Sequence, residues 1–210
     1  MVRPSLNNLY PKIVGKDQAL RKIWVNNEVR SDLRWAMKHL HGSLGVRLPS
    51  SITWNADDAD ETIFCDACLQ GLAFWYPSHW QGYFSQVPPN LAGETIFFYE
   101  AMAATSAIDD IRKRGTHHSK IVVFTDSMNT VDIFNSLHCQ PLYNPLLCFC
   151  VDTCINDKLD LHVLHVPGVQ NEVVDAISRR NFEKAQRLVP DLQISFFQPP
   201  QLVMLGAAKK

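Results

Sequence analysis

The sequence lacks any apolar run long enough to span a bilayer, since its best candidates are interrupted at Glu94, Glu100 and Asp152. Its first sixteen residues, MVRPSLNNLYPKIVGK, have no apolar centre of the kind a secretory signal needs. The expectation is a soluble intracellular protein, cytoplasmic or nuclear, with no membrane partner. A polymerase motif is missing too. No apolar-flanked Y-x-D-D occurs, and the Asp57-Asp58 pair lacks the aromatic and strand flanks such a motif requires, so it reads as a solvated loop. Disorder is excluded by composition: 210 residues, 46% hydrophobic and 20% charged, suffice for one sizeable core with appendages.

An overall excess of charge is absent as well, but the net charge of −1 hides a division. Residues 1–56 hold nine Lys/Arg and three Asp/Glu, whereas residues 57–210 hold eleven and eighteen. A protein that touches nucleic acid needs cations against phosphate, and the first quarter could supply them. The bland alternative is a solvated basic helix face. Six cysteines (65, 68, 139, 148, 150, 154) do not make a disulfide framework in a chain of this length without an export signal. Cys65 and Cys68 have C-x-x-C spacing, but neither they nor the cluster in PLLCFCVDTCI has the Gly-rich knuckle of a zinc site. Buried free thiols are the preferred reading, with zinc the alternative.

The chain then divides by period. Apolar spacing over residues 17–41 predicts helix, with a break near Asn26-Asn27 and a stop at Gly42, and residues 43–60 read as a linker. From residue 61, TIFCDA, GLAFWYP and WQGYFSQ are strand-like runs with short spacings, hence an antiparallel meander. Residues 95–113 run helically and KIVVFTD is a buried central strand. Helices near 128–137 and 144–156, a strand over 159–166 and a closing helix follow. Pro167-Gly168 is a turn signal, and Asn171 offers its side chain as the N-cap of that last helix, leaving His165 on a loop. This order predicts an α/β fold: a mixed five-stranded sheet, antiparallel first and then joined by parallel crossovers, flanked by helices.

Acidic residues inside apolar patterns carry the chemistry, because an unpartnered buried charge is costly. Asp66 closes the first strand, Glu100 interrupts the helix IFFYEAMAA, Asp126 ends the central strand and Asp175 opens the last helix. Singly, each reads equally well as a local cap or salt bridge. Together, on this topology, they reach one end of the sheet, where bound divalent metal would resolve their repulsion.

CDACLQG (65–71), FYEAMA (98–103), FTDSMNTV (124–131) and HVPGVQNEVVDAISR (165–179) in this order resemble the ribonuclease H family, in the form carried by retrotransposon reverse transcriptase polyproteins. The match covers roughly residues 60–180 and departs at Cys68, where the family has a small hydroxyl residue. His165 precedes Asp175 by ten positions, as the family pattern requires. Only 49 positions separate Asp126 from Asp175, with no basic insertion between the middle helices. The flanks LRWAMKHLHGSLG and FQPPQLVMLGA resemble those of this domain in fungal-type retroelements. The resemblance divides the chain into a basic helical extension and linker (1–57), a ribonuclease H-like domain (58–182) and a C-terminal tail (183–210).

The resemblance implies a metal-dependent endonuclease that hydrolyses the RNA strand of RNA–DNA hybrids. Asp66, Glu100, Asp126 and Asp175 would be catalytic and would bind two Mg2+ ions about 4 Å apart, with Mn2+ able to substitute. His165 would assist proton transfer or product release, or else it is a neutral strand cap. Ser127, Asn129 and Asn171 would contact backbone or sugar of the substrate. The implied partners are the hybrid and a polymerase or recombinase portion of the same polyprotein. Two alternatives stay open. One is a non-catalytic module that binds nucleic acid or protein, for which the missing polymerase and Cys68 argue. The other, a transposase or integrase core, fits less well because those folds use three carboxylates and do not need the HVPGxxN segment.

Overall fold

The computed structural model describes residues 3–16, 20–42, 54–115 and 119–202. A short helix α1 (Tyr10–Ile13) precedes α2 (Asn27–Gly42). The predicted helix over 17–41 is therefore shorter than its apolar spacing suggests, for residues 20–26 carry no helix. The Asn26 side-chain oxygen accepts a hydrogen bond from the Val29 N–H (3.2 Å) and so starts α2 after itself. Leu20 and Trp24, part of that spacing, are exposed and have no core to join. Of the predicted linker, residues 43–53 lie outside the described residues, as do residues 203–210 of the tail. Within 54–60, Asp58 closes a turn by accepting from the Asn55 N–H (2.9 Å), which is the work of a loop carboxylate.

The sheet begins as a meander of β1 (Glu61–Ala67), β2 (Gly71–Tyr76) and β3 (Gln81–Gln86), all antiparallel. Helix α3 (Ile96–Arg114) follows; Thr95 caps its start, and Gly115, at φ 61°, supplies the left-handed residue that ends it. Then come β4 (Lys120–Thr125), α4 (Met128–Ser136), α5 (Asn144–Asn156), β5 (Asp160–His165) and α6 (Glu172–Ser178). Strands β4 and β5 run parallel to β1, joined through helices. This is the mixed sheet flanked by helices, with an N-terminal helix, that the ribonuclease H resemblance implies.

One strand was not expected. After α7 (Phe182–Leu188), β6 (Gln193–Phe196) pairs parallel with β3 from Gln81↔Gln193 to Phe84↔Phe196. The sheet thus has six strands in the order β5-β4-β1-β2-β3-β6 rather than five. QISF is a short edge strand, half-buried only at Ile194, so it lacks the alternation by which a sequence announces a strand.

Strand alternation splits the core between the two faces. Ile63, Cys65 and Ala67 of β1 and Leu72, Phe74 and Tyr76 of β2 face α3 and α5, where Phe98, Met102, Ile108, Leu146 and Leu147 are fully buried. On the other face Ala73 and Phe84 meet Val174, Ala176 and Ile177 of α6 and Ala185 of α7. Gly71 and Gly82 let α6 come down on the sheet: a Cβ at Gly71 would stand 2.2 Å from the Ser178 carbonyl oxygen, and one at Gly82 would stand 2.9 Å from Ile177.

The N-terminal segment docks on α5 by polar contacts. The Asn7 Nδ2 donates to Asn144 Oδ1 (2.8 Å), Asn144 Nδ2 donates to Asp32 Oδ1 (3.0 Å), and Asn8 Nδ2 donates to Asp32 Oδ2 (2.9 Å). Further along, Asp152 accepts from Trp35 Nε1 (2.8 Å) and meets His39 Nε2 (2.5 Å). Burial pushes the Asp32 carboxyl up while its amide partners pull it back. A buried network of this kind fixes one docking geometry because any slip strands a polar group.

Candidate active site

The parallel register Phe64↔Phe124 carries β1 and β4 to the same end of the sheet, so Asp66 and Asp126 finish side by side. Asp66 points away from the face of Cys65 and Ala67 and is only 6% exposed. Its Oδ2 accepts a hydrogen bond from the Ser178 hydroxyl of α6 (2.5 Å). Burial pushes its carboxyl up to about 7, against the Ser178 hydrogen bond, and the charges of Asp126, Asp175 and Glu100 push in the same direction.

Glu100 comes from α3 and is half-buried. It accepts from the Ser127 hydroxyl, and burial together with the Asp126 charge raises it above the usual carboxylate range. Asp126 itself is exposed, just past β4, and none of the described residues hydrogen-bonds its carboxylate. The loop after β5 lies over it: a Cβ at Gly168 would be 3.4 Å from Asp126 Oδ2. Asp175, in the opening turns of α6, is half-exposed and pairs with Arg179 one turn on (Oδ1 to Nε 2.6 Å). That hydrogen bond and the Asp175 charge raise the Arg179 guanidinium further, and Asp66 adds to the effect.

The remaining predicted residues are placed as follows. His165 is the last residue of β5 rather than a loop residue; the ladder pairs it with Thr125, one position before Asp126, and leaves it exposed. Ser127 is buried and is the N-cap of α4, accepting from the Thr130 N–H (3.4 Å) while donating to Glu100. Asn129 is exposed in the first turn of α4. Asn171 does not cap α6 with its side chain. It is 1% exposed, its Nδ2 donates to the Cys65 carbonyl oxygen (3.3 Å), and its Oδ1 is buried with no hydrogen-bond partner among the described residues. Reaching β1 is what the cap position offers here, because α6 packs directly against β1 and β2.

Two residues of the site were passed over in the sequence, Ser178 and Arg179. Both stand in HVPGVQNEVVDAISR, three and four positions after Asp175, the spacing that brings helix side chains onto one face. Cys68 also borders the site, donating through Sγ to the Ser178 carbonyl (3.2 Å).

The donor chemistry here is all carboxylate, which suits a hard divalent cation such as Mg2+ or Mn2+. Asp66, pushed up by its own burial and by three neighbouring charges, shows that the spot favours a proton or a cation. As the side chains stand, Ser178, Ser127 and Arg179 hold three of the four carboxylates in separate contacts. Among the described residues no three His, Cys, Asp or Glu side chains are grouped closely enough to share one ion. The four would hold a metal only by exchanging these contacts for it. None of the six cysteines is in a disulfide; burial pushes the Cys65 and Cys150 thiols far up and those of Cys139 and Cys148 to about 12.

No family model matches the chain, and no curated protein matches it by sequence. Among solved structures it is similar to ribonuclease H1 of the archaeon Halobacterium salinarum, at 14% identity and a TM-score of 0.44 over 60% of this chain and 98% of that one. It is similar, again at 14% identity and TM-score 0.44, to the N-terminal ribonuclease H domain of a Mycobacterium tuberculosis protein, over 61% of this chain and 99% of that one. The protease–reverse transcriptase of prototype foamy virus matches at 13% identity and a TM-score of 0.34, over 76% of this chain and 21% of that one. These likenesses bring no activity with them.

Proposed function

We propose that this protein hydrolyses the RNA strand of RNA–DNA hybrids in a reaction that depends on a divalent metal. The observation that carries the reading is the register that ends β1 and β4 side by side at Asp66 and Asp126, with Asp175 and Glu100 near enough for their charges to act on the buried Asp66. Structural carboxylates acquire cationic or backbone partners, whereas here the deepest one is surrounded by its own charge. Bound Mg2+, or Mn2+ in its place, would supply an activated water and stabilise charge on the leaving 3′ oxygen. Asp66, central and least exposed, would hold the metal, with Glu100, Asp126 and Asp175 completing the shell. Ser127 and Ser178 would orient Glu100 and Asp66. His165, exposed beside Thr125, would move a proton or help product leave. Asn129 would meet the substrate backbone from the start of α4. Asn171 would hold α6, and with it Asp175, against β1. A retroelement origin, with a polymerase or recombinase portion as neighbour, rests on the flanking stretches described above.

A second reading, a module that binds hybrid without cutting it, is favoured by the Asp175–Arg179 pair, which already gives one carboxylate a cation. Cleavage of a labelled RNA strand annealed to DNA separates the two readings. The assay is run with Mg2+, Mn2+ or EDTA, beside single-stranded RNA and duplex DNA. Metal-dependent cutting of the hybrid alone supports the enzyme. Folded protein that binds hybrid and cuts in neither metal supports the module, and a Glu100→Ala variant that still cuts sinks the carboxylate assignment.

A further inference from the structure

Helix α2 uses only part of its surface to dock. Val29, Asp32 and Ala36 are buried, and Trp35 and His39 are half-buried against α5. On the opposite side Arg30, Arg34 and Lys38 are exposed, one turn apart, and no carboxylate of the described residues pairs with any of them. This differs from α3, where Arg112, Lys113 and Arg114 are each tied to Asp109 or Asp110. The three cations of α2 stand on a helix held by the buried Asp32–Asn144–Asn7 network, so they are presented at fixed spacing rather than on a loose arm.

The geometry points to α2 as a grip on the phosphate backbone of the RNA–DNA hybrid, with Arg30, Arg34 and Lys38 as its contacts; the identity of the duplex rests on the proposed substrate. Charge complementarity selects this occupant. From Arg30 to Lys38 the stripe runs about 12 Å at 1.5 Å per residue. A duplex presents one phosphate charge per roughly 1.7 Å of axis, so a stretch of that length carries several. The remainder of the chain carries eighteen Asp/Glu against eleven Lys/Arg after residue 56, so the net positive charge lies in the first quarter. Leu33, Met37 and Leu40, exposed along one border of the stripe, add apolar contact to sugars.

The test is a titration of the full chain against a fluorescent RNA–DNA hybrid in EDTA at several salt concentrations, followed by cleavage kinetics in Mg2+. Arg30→Gln/Arg34→Gln/Lys38→Gln should weaken binding by at least about tenfold and lower the slope of log affinity against log salt by about 2 to 3, since each phosphate contact contributes about 0.9. KM for the hybrid should rise in parallel. Lys184→Gln/Arg187→Gln on α7 should change the slope by less than about 1. A triple variant that binds within twofold of the parent, an equal loss in the α7 control, or a parent chain that prefers polyglutamate to hybrid would each overturn the grip. Stripe-dependent binding without cutting in either metal would leave the grip standing and remove the nuclease. Cutting at unchanged KM by the triple variant would do the reverse.

Discussion

The β1–β4 pair has acidic residues at both of its ends, Asp60 and Glu61 at one and Asp66 and Asp126 at the other, and the two ends treat them differently. At the start of the pair, the Asp60 Oδ2 accepts from the Ser119 N–H (2.8 Å), the Ser119 hydroxyl (3.1 Å) and the Lys120 N–H (2.9 Å). Its neighbour Glu61, 5% exposed, accepts from the Ser78 hydroxyl (2.9 Å) and meets His79 Nε2 (2.8 Å). Donors outnumber acceptors there, and the carboxylates pin β1 to β4 and to the β2–β3 turn. At the far end Asp66 has one hydroxyl and three other carboxylates as company. The same side chains on the same strands are structural at one end and electrostatically frustrated at the other. Such frustration is what the proposed metal would relieve.

Breaking the frustrated end should have the largest effect. Asp66→Asn, Asp126→Asn and Asp175→Asn are each expected to lower hybrid cleavage by at least about a thousandfold in Mg2+, measured against protein of equal folded fraction, because each removes an anionic ligand of the proposed metal. Next in size is a pH effect on stability. The folded Asp66 carboxyl, at about 7, lies above the ordinary aspartate value of 3.8, so between these the folded state holds a proton that the unfolded chain has lost. The stability it contributes is whole below about pH 4 and is lost as pH rises through about 7, on the order of 4 kcal/mol. Urea unfolding in EDTA across this window should record that fall, and Asp66→Asn should abolish it; Mg2+ should restore part of it above pH 7. At the structural end, Asp60→Ala should cost about 2 kcal/mol by removing the acceptor of three donors, with cleavage per folded molecule unchanged. Arg179→Ala should be the mildest. Its pair with Asp175 is exposed, and urea unfolding should shift by no more than about 0.5 kcal/mol.

Much of this was legible where local chemistry decides. The uninterrupted apolar run of KIVVFTD becomes central β4, and the helical run read over residues 95–113 becomes α3. The four carboxylates were found because each interrupts an apolar pattern. Structure held by pairing across the chain was not legible. Asn7 and Asp32 each reach Asn144, more than a hundred residues on, and no period marks them. Asn171 at a helix start reads as a side-chain cap, yet the packing of α6 sends its amide to Cys65 instead. Ser178 and Arg179 were hidden by company, since two polar residues closing an amphipathic helix look like solvated surface.

The pairing of β6 with β3 has a consequence for the order in which the chain is made. Gln81 meets Gln193 and Phe84 meets Phe196, so β3 must wait for more than a hundred further residues before its outer edge is covered. A nascent chain lacking those residues has its meander built but exposes a ladder of unpaired backbone groups, the kind of edge that recruits other strands. Phe84 and Phe182 meet edge-on at ring centroids 5.4 Å apart, so α7 shields the same strand just before β6 arrives. Emergence of residues 193–196 from the ribosome is therefore the moment at which the sheet can be sealed.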